Sequence, residues 1–165
     1  MSTPDFPAAY TRFWGPIRAK CRRLLGATGA ADEVAQEAFL RLWQSGPALD
    51  GATEARQVLA WLYLTSTRLC LDALRRSRVS AALAGTTGMA VSCAVSPHEV
   101  VAARAEILAL CERARAEELE AALLARVDGL PHSEVALVLG VSERTVRRLL
   151  DAFDQHEQGL REELS

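Results

Sequence analysis

The chain has 165 residues, half of them apolar, which is enough to bury one ordinary core or two small ones. No apolar run approaches the roughly 20 residues of a membrane span, and the opening MSTPDFPAAYTRFW lacks the basic and apolar segments of a signal peptide, so a cytoplasmic protein is expected. The net charge of −2 hides an asymmetry: residues 1–78 carry 11 basic side chains against 7 acidic, residues 79–96 carry none, and residues 97–165 carry 8 against 14, which puts any long-range attraction for nucleic acid in the N-terminal half.

The pattern predicts a first helix over about Phe6–Leu25, with Tyr10, Phe13, Trp14, Ile17, Cys21 and Leu24 as its core face and a kink at Gly15-Pro16. Gly26 to Gly29 reads as a turn. A second amphipathic helix follows over about Ala31–Gln44, with Val34, Ala38 and Leu42 on one side, Phe39 and Trp43 beside them, and Asp32, Glu33, Gln36, Glu37 and Arg41 outward. After a loop holding Gly46, Pro47 and Gly51, Thr53 can cap a long third helix to about Ser77, which carries Val58, Trp61, Leu62, Leu64, Leu69 and Leu71 and leads into Arg75, Arg76 and Arg78. Residues 79–95 lose the charge pattern and gather Gly, Ser, Thr and Ala, the composition of a flexible linker. Ser96-Pro97-His98-Glu99 combines an N-cap, a first-turn proline and a capping-box glutamate, and a further helix is expected over about Arg115–Asp128.

Gly129 to Phe153 reads as a helix-turn-helix. Gly129 suits the left-handed position that ends a helix, His132 to Leu139 gives a short helix with Val135, Ala136 and Leu139 on one face, and Gly140 supplies the turn. Ser142 is a good N-cap for the next helix, whose Val146, Leu149, Leu150 and Phe153 fall at i, i+3, i+4 and i+7. Arg144, Thr145, Arg147 and Arg148 are left outside, placed to meet phosphates and guanine edges in a major groove.

The expected fold is therefore all-α: a helical domain over residues 1–78, a linker over 79–95, and a helix-turn-helix domain over 96–165. Cys21, Cys70, Cys93 and Cys111 stand far apart without a CxxC pair and read as reduced core residues. His98, His132 and His156 form no triad or metal spacing, so no catalytic residue, metal or cofactor is expected. Lys20 is the only lysine among 19 basic residues, a usage that looks like the codon bias of a GC-rich genome.

Three segments resemble one family. ADEVAQEAFLRLW, from Ala31, is similar to the region 2.2 helix of bacterial extracytoplasmic-function (group 4) sigma factors, usually near AEDLVQEAFLRLW. WLYLTSTRLCLDALRRSR, from Trp61, resembles the helix that follows it, and GLPHSEVALVLGVSERTVRRLL resembles the region 4 pattern GLSYEEIAEVLGVSEGTVKSRL. Order, spacing and linker position agree over about Phe6 to Leu150.

The resemblance implies a non-enzymatic initiation subunit. The face of Asp32, Glu33, Gln36, Glu37 and Arg41 would dock on the clamp helices of RNA polymerase core, the third helix would capture an unpaired base of promoter DNA at the −10 element, and the helix-turn-helix would read the −35 element. Trp61, Tyr63, Arg68, Arg75 and Arg76 could supply the apolar wall and the phosphate contacts that such capture needs. The resemblance also implies control by an anti-sigma factor, expected on a separate chain. Arg68 stands where the family commonly has asparagine, Thr65 replaces a usual isoleucine, and Leu149, Asp151 and Asp154 interrupt an arginine run. Asp151 shares the face of Arg144, Arg147 and Arg148 and is expected to oppose phosphate. A sigma-like regulator acting through protein contacts therefore stays open as an alternative, while an ordinary helix-turn-helix regulator would leave the Asp32 to Trp43 segment unexplained.

Overall fold

The computed structural model describes residues 6–27, 29–46, 52–84 and 106–165, and the described residues are helices and their connections, without a strand. In chain order they are α1 (Phe6–Leu25), α2 (Gly29–Ser45), α3 (Ala52–Ala84), α4 (residues 106–113), α5 (Ala116–Ala122) running into a π-helical turn (Leu123–Val127), α6 (His132–Leu139) and α7 (Glu143–Leu164). The first core lies between α1, α2 and α3, around Phe13, Ile17, Cys21, Val34, Phe39, Leu62 and Cys70. The second lies between α5, the π-turn, α6 and α7, around Leu119, Leu124, Val135, Val146, Leu150 and Phe153, and takes in Leu71 from α3.

Helix α1 has the expected bounds but a rotated face. The buried residues are Ala9, Phe13, Ile17, Lys20, Cys21 and Leu25, while Tyr10 stands at the exposed rim and Trp14 and Leu24 are only half-buried. Two neighbours, α2 and α3, pack on α1, so its buried stripe is set between them. Pro16 lies inside the assigned helix. Tyr10 and Trp14 stack at 5.1 Å, and Tyr10 meets Phe39 edge-on at 5.0 Å, which gives the displaced rings an aromatic partner in place of a core site. Gly26, at φ 82°, ends α1 and donates to the Arg22 carbonyl at 2.8 Å.

Helix α3 departs from expectation at both ends. It begins at Ala52, ahead of the expected cap Thr53, and continues through Ala84, so residues 79–84, read above as linker, are helical. VSAALA lacks charge and is small, as a linker would be, but three alanines and a leucine are strong helix formers and continue the helix. The remaining linker residues 85–95 and the capping box at Ser96 lie outside the described residues. Cys21, Cys70 and Cys111 are buried and form no disulfide, as expected, and Cys93 lies outside the described residues.

The helix-turn-helix follows its local signals closely. Gly129 and Gly140 adopt φ of 69° and 67°. At the end of α6 the Val141 N–H donates to the Ala136 carbonyl at 3.0 Å and the Gly140 N–H to the Leu137 carbonyl at 3.3 Å, the paired bonds of a Schellman stop. The Ser142 hydroxyl accepts from the Thr145 N–H at 3.2 Å and opens α7. Helix α7 then buries Val146, Leu149, Leu150, Phe153 and Leu160. Leu149, which breaks the family's arginine run, is a core residue.

A methyl group on Gly140 would meet open space, so the cost of Gly140→Ala is that of a left-handed alanine, about 1 kcal/mol. Urea denaturation should show a loss of that size, and an unchanged midpoint would mean the turn relaxes out of the left-handed region.

Candidate functional site

Helix α2 separates folding from display. Ala31, Val34, Ala35, Ala38, Phe39 and Leu42 are buried, while Glu33, Gln36 and Arg41 are exposed and Glu37 is half-buried. The Arg41 guanidinium donates to Glu37 at 2.8 Å, one turn away. Between these polar groups Leu40 and Trp43 remain 49% and 56% exposed. Trp43, expected beside the core, touches Phe6 edge-on at 5.1 Å and otherwise faces outward. Reading by polarity missed Leu40, because an apolar residue on a polar face looks like core.

Asp32 differs from its neighbours on that face. Its carboxylate accepts from Arg18 Nε at 2.8 Å and Nη2 at 3.0 Å, and from Arg22 at 3.3 Å through each of the same two nitrogens. The Arg18 hydrogen bonds, helped by Arg22 and opposed by desolvation, hold it well below the usual carboxylate range, at about 2. Asp32 thus ties α2 to α1 as well as lying at the edge of the displayed face.

On α3 the residues named for DNA contact are placed unequally. Trp61 is half-buried against the first core. Arg68 donates to Glu120 of α5, with Nε at 2.8 Å. Arg75 makes a 3.5 Å contact to Asp72 one turn earlier, and Arg76 is exposed. Tyr63 is half-buried beneath Lys20, whose Nζ lies 5.3 Å from the ring centroid, and burial raises its phenol above the ordinary value.

On α7, Arg144, Arg147 and Arg148 are exposed, and Thr145 is half-buried beside Ser142. Arg147 lies 3.9 Å from Glu143. Asp151 is exposed near the arginines, as expected, whereas Asp154 pairs with Arg126 of the π-turn, together with Glu157 at 3.4 Å. Asp154 is therefore drawn toward the second core and away from the arginine face. The sequence reading missed Lys20, Arg23, Arg56, Glu120, Asp128 and Glu134, which join the two halves; their partners lie far along the chain, and no local pattern marks them.

Comparison with known proteins bears on these surfaces. Residues 9–79 match the Sigma-70 region 2 family, and residues 99–161 match a homeodomain-like domain family. The chain is 31% identical over 130 residues to the ECF RNA polymerase sigma factor SigL of Mycobacterium tuberculosis, a match covering 78% of this chain and 72% of SigL. The chain belongs to the ECF sigma factors. A further ECF relative, the probable ECF RNA polymerase sigma factor SigI of M. tuberculosis, is 32% identical over 136 residues, covering 77% of this chain but 45% of SigI, so this sigma factor spans less than half of that relative's length. The fold of this sigma factor is also similar to the sigma factor RpoE from Bartonella quintana, solved with the anti-sigma factor NepR, at a TM-score of 0.54 and 16% identity over 96% of this chain and 97% of that one. The described residues are all-α, and the homeodomain-like match covers their C-terminal helix-turn-helix.

Because the Arg18 and Arg22 guanidinium groups keep Asp32 ionised into acid, the stability it contributes is fully present above the ordinary carboxylate pKa of about 4, declines as pH falls below that value, and is gone once pH has fallen through about 2. A carboxyl NMR titration should place its midpoint near 2, and Arg18→Gln should move it upward. A wild-type midpoint near 4 would show that the guanidinium contacts do not persist in solution.

Proposed function

We propose that this chain is an alternative sigma factor that brings RNA polymerase core to a small set of promoters, acting in the cytoplasm and without catalysis of its own. The observation that carries the reading is the outward face of α2. Glu33, Gln36, Glu37, Arg41, Leu40 and Trp43 are displayed on the segment that matches Sigma-70 region 2, at a helix whose opposite face already accounts for folding. A mixed patch of two apolar side chains rimmed by charge has the composition of a protein-binding surface. Promoter DNA would be met by Trp61, Arg68, Arg75 and Arg76 on α3 and by Arg144, Thr145, Arg147 and Arg148 on α7.

Replacing Gln36 and Arg41 together by alanine should weaken binding to core polymerase about tenfold while the thermal melt stays unchanged. Equal affinity for core in the parent and the double variant would remove the α2 face from the interface.

The exposed Asp151 supports a second reading, in which α7 serves a protein contact and reads DNA weakly. If α7 reads DNA, Asp151→Asn removes one repulsive charge near phosphate and should strengthen promoter binding by about 1 kcal/mol at low salt, less as ionic strength rises. Promoter titrations of Asp151→Asn and Arg148→Ala at two salt concentrations decide between the readings, and a flat response in both favours the protein contact.

A further inference from the structure

Cys21 on α1 and Cys70 on α3 face each other inside the first core. Both are 0% exposed, and among the described residues they are the only cysteines of that core, Cys111 belonging to the second. Their thiols meet, with the Cys70 S–H donating to the Cys21 sulfur. The ammonium of Lys20, itself 0% exposed, acts on both sulfurs. Thiols already in contact across two packed helices need only a small approach to reach bonding distance.

The two sulfurs are not equivalent. The hydrogen bond from Cys70, with the Lys20 ammonium beside it, outweighs burial and holds Cys21 below the ordinary thiol range. Cys70 is held well above that range, because its thiolate would forfeit the hydrogen bond, lie without water and stand beside Cys21. The thiolate is the form that attacks an oxidant, which makes Cys21 the first to react and Cys70 the thiol that resolves the product.

We propose that Cys21 and Cys70 form a peroxide-responsive dithiol, which a small neutral peroxide converts into a disulfide joining α1 to α3. The Cys21 sulfur attacks one oxygen of hydrogen peroxide and the O–O bond breaks. The departing oxygen leaves as water with the proton that Cys21 gave up, and Cys21 is oxidised to a sulfenic acid. The Cys70 sulfur then attacks that sulfur, the S–O bond breaks, and the hydroxyl leaves as a second water with the Cys70 proton. Two thiols and one hydrogen peroxide thus give one disulfide and two waters. Burial sets the class of oxidant: an uncharged molecule the size of water enters a closed core far more readily than a bulky charged disulfide such as oxidised glutathione. This chemistry depends on the first core alone and on neither the polymerase nor the promoter role.

The test uses the full chain, reduced, freed of reductant, exposed to hydrogen peroxide, quenched with N-ethylmaleimide and digested for mass spectrometry. A Cys21–Cys70 linked peptide should appear and should vanish on treatment with dithiothreitol. The thermal melt of the oxidised protein should rise by several degrees and fall back on reduction, because residues 21 and 70 are 49 positions apart and their cross-link restricts the unfolded chain. Cys70→Ser should stop at the sulfenic acid on Cys21, captured by dimedone on unfolding, while Cys21→Ser should leave Cys70 unmodified at the same dose. Oxidised glutathione at equal oxidising equivalents should form the link about tenfold more slowly. Absence of the link in protein that stays helical by circular dichroism, at a dose that oxidises free cysteine, overturns the dithiol, and so does a link that forms only in urea. An unchanged or lowered melt after linkage overturns the fit of the pair, a dimedone adduct on Cys70 in Cys21→Ser overturns the order of reaction, and equal rates with glutathione overturn the peroxide class. If a serine variant does not fold, the linked peptide and the melt of the unaltered chain decide by themselves.

Discussion

Helix α3 has to bury two faces at once, and the rest of the arrangement depends on how its sequence allows this. Val58, Leu62 and Leu69 pack in the first core, and Ala60, Leu64 and Leu71 meet the second. The two sets have the same spacing displaced by two residues, which at 3.6 residues per turn is about 200° around the axis. They are therefore opposite stripes of one rod. Two apolar stripes on opposite sides of one helix need two partners, so α1 and α2 cover one side while α5, α6 and the π-turn cover the other, and polar residues such as Arg56, Arg68 and Asp72 lie exposed between them. The ion pairs between the halves ring this double contact.

How much of this was legible in the sequence depends on how local each signal is. The helix-turn-helix was readable because its determinants lie within a few residues of one another: glycines where φ must be positive, Ser142 one turn before the N–H it caps, and an apolar stripe at helical spacing. The bounds of α1 were readable for the same reason. The second stripe of α3 was not, since its residues read equally well as part of a single broad face until a second partner is known. Lys20 was read as a trace of codon usage, yet it sits at the meeting point of α1, α3 and the π-turn, paired with a residue 108 positions away. The basic charge of the N-terminal half points toward nucleic acid, yet in part it is answered within the chain by carboxylates of the C-terminal half.

The departures of α7 from the family pattern divide along the same physical line. Leu149 contributes to the second core and Asp154 to the pairing with Arg126, so packing within the C-terminal half accounts for both. Asp151 has no such account: it is exposed on the face that carries the arginines. Of the candidate DNA residues, Arg144 and Arg148 are exposed on α7, Arg147 beside them pairs with Glu143, and Arg68 of α3, also exposed, pairs with Glu120 of α5.

The burial of Lys20 has a chemical consequence of its own. It is the only side-chain amine in the chain, and in this arrangement it has no exposed surface. Acylating reagents need an amine that is both reachable and able to lose its proton, and here Asp128 holds the ammonium while helices shield it. Burial and the carboxylate act in opposite directions on the proton, with burial the larger and lowering the pKa, but neither admits a bulky electrophile. Amine modification at Lys20 would therefore report whether α1, α3 and the π-turn stay closed around it, without any label having to be introduced.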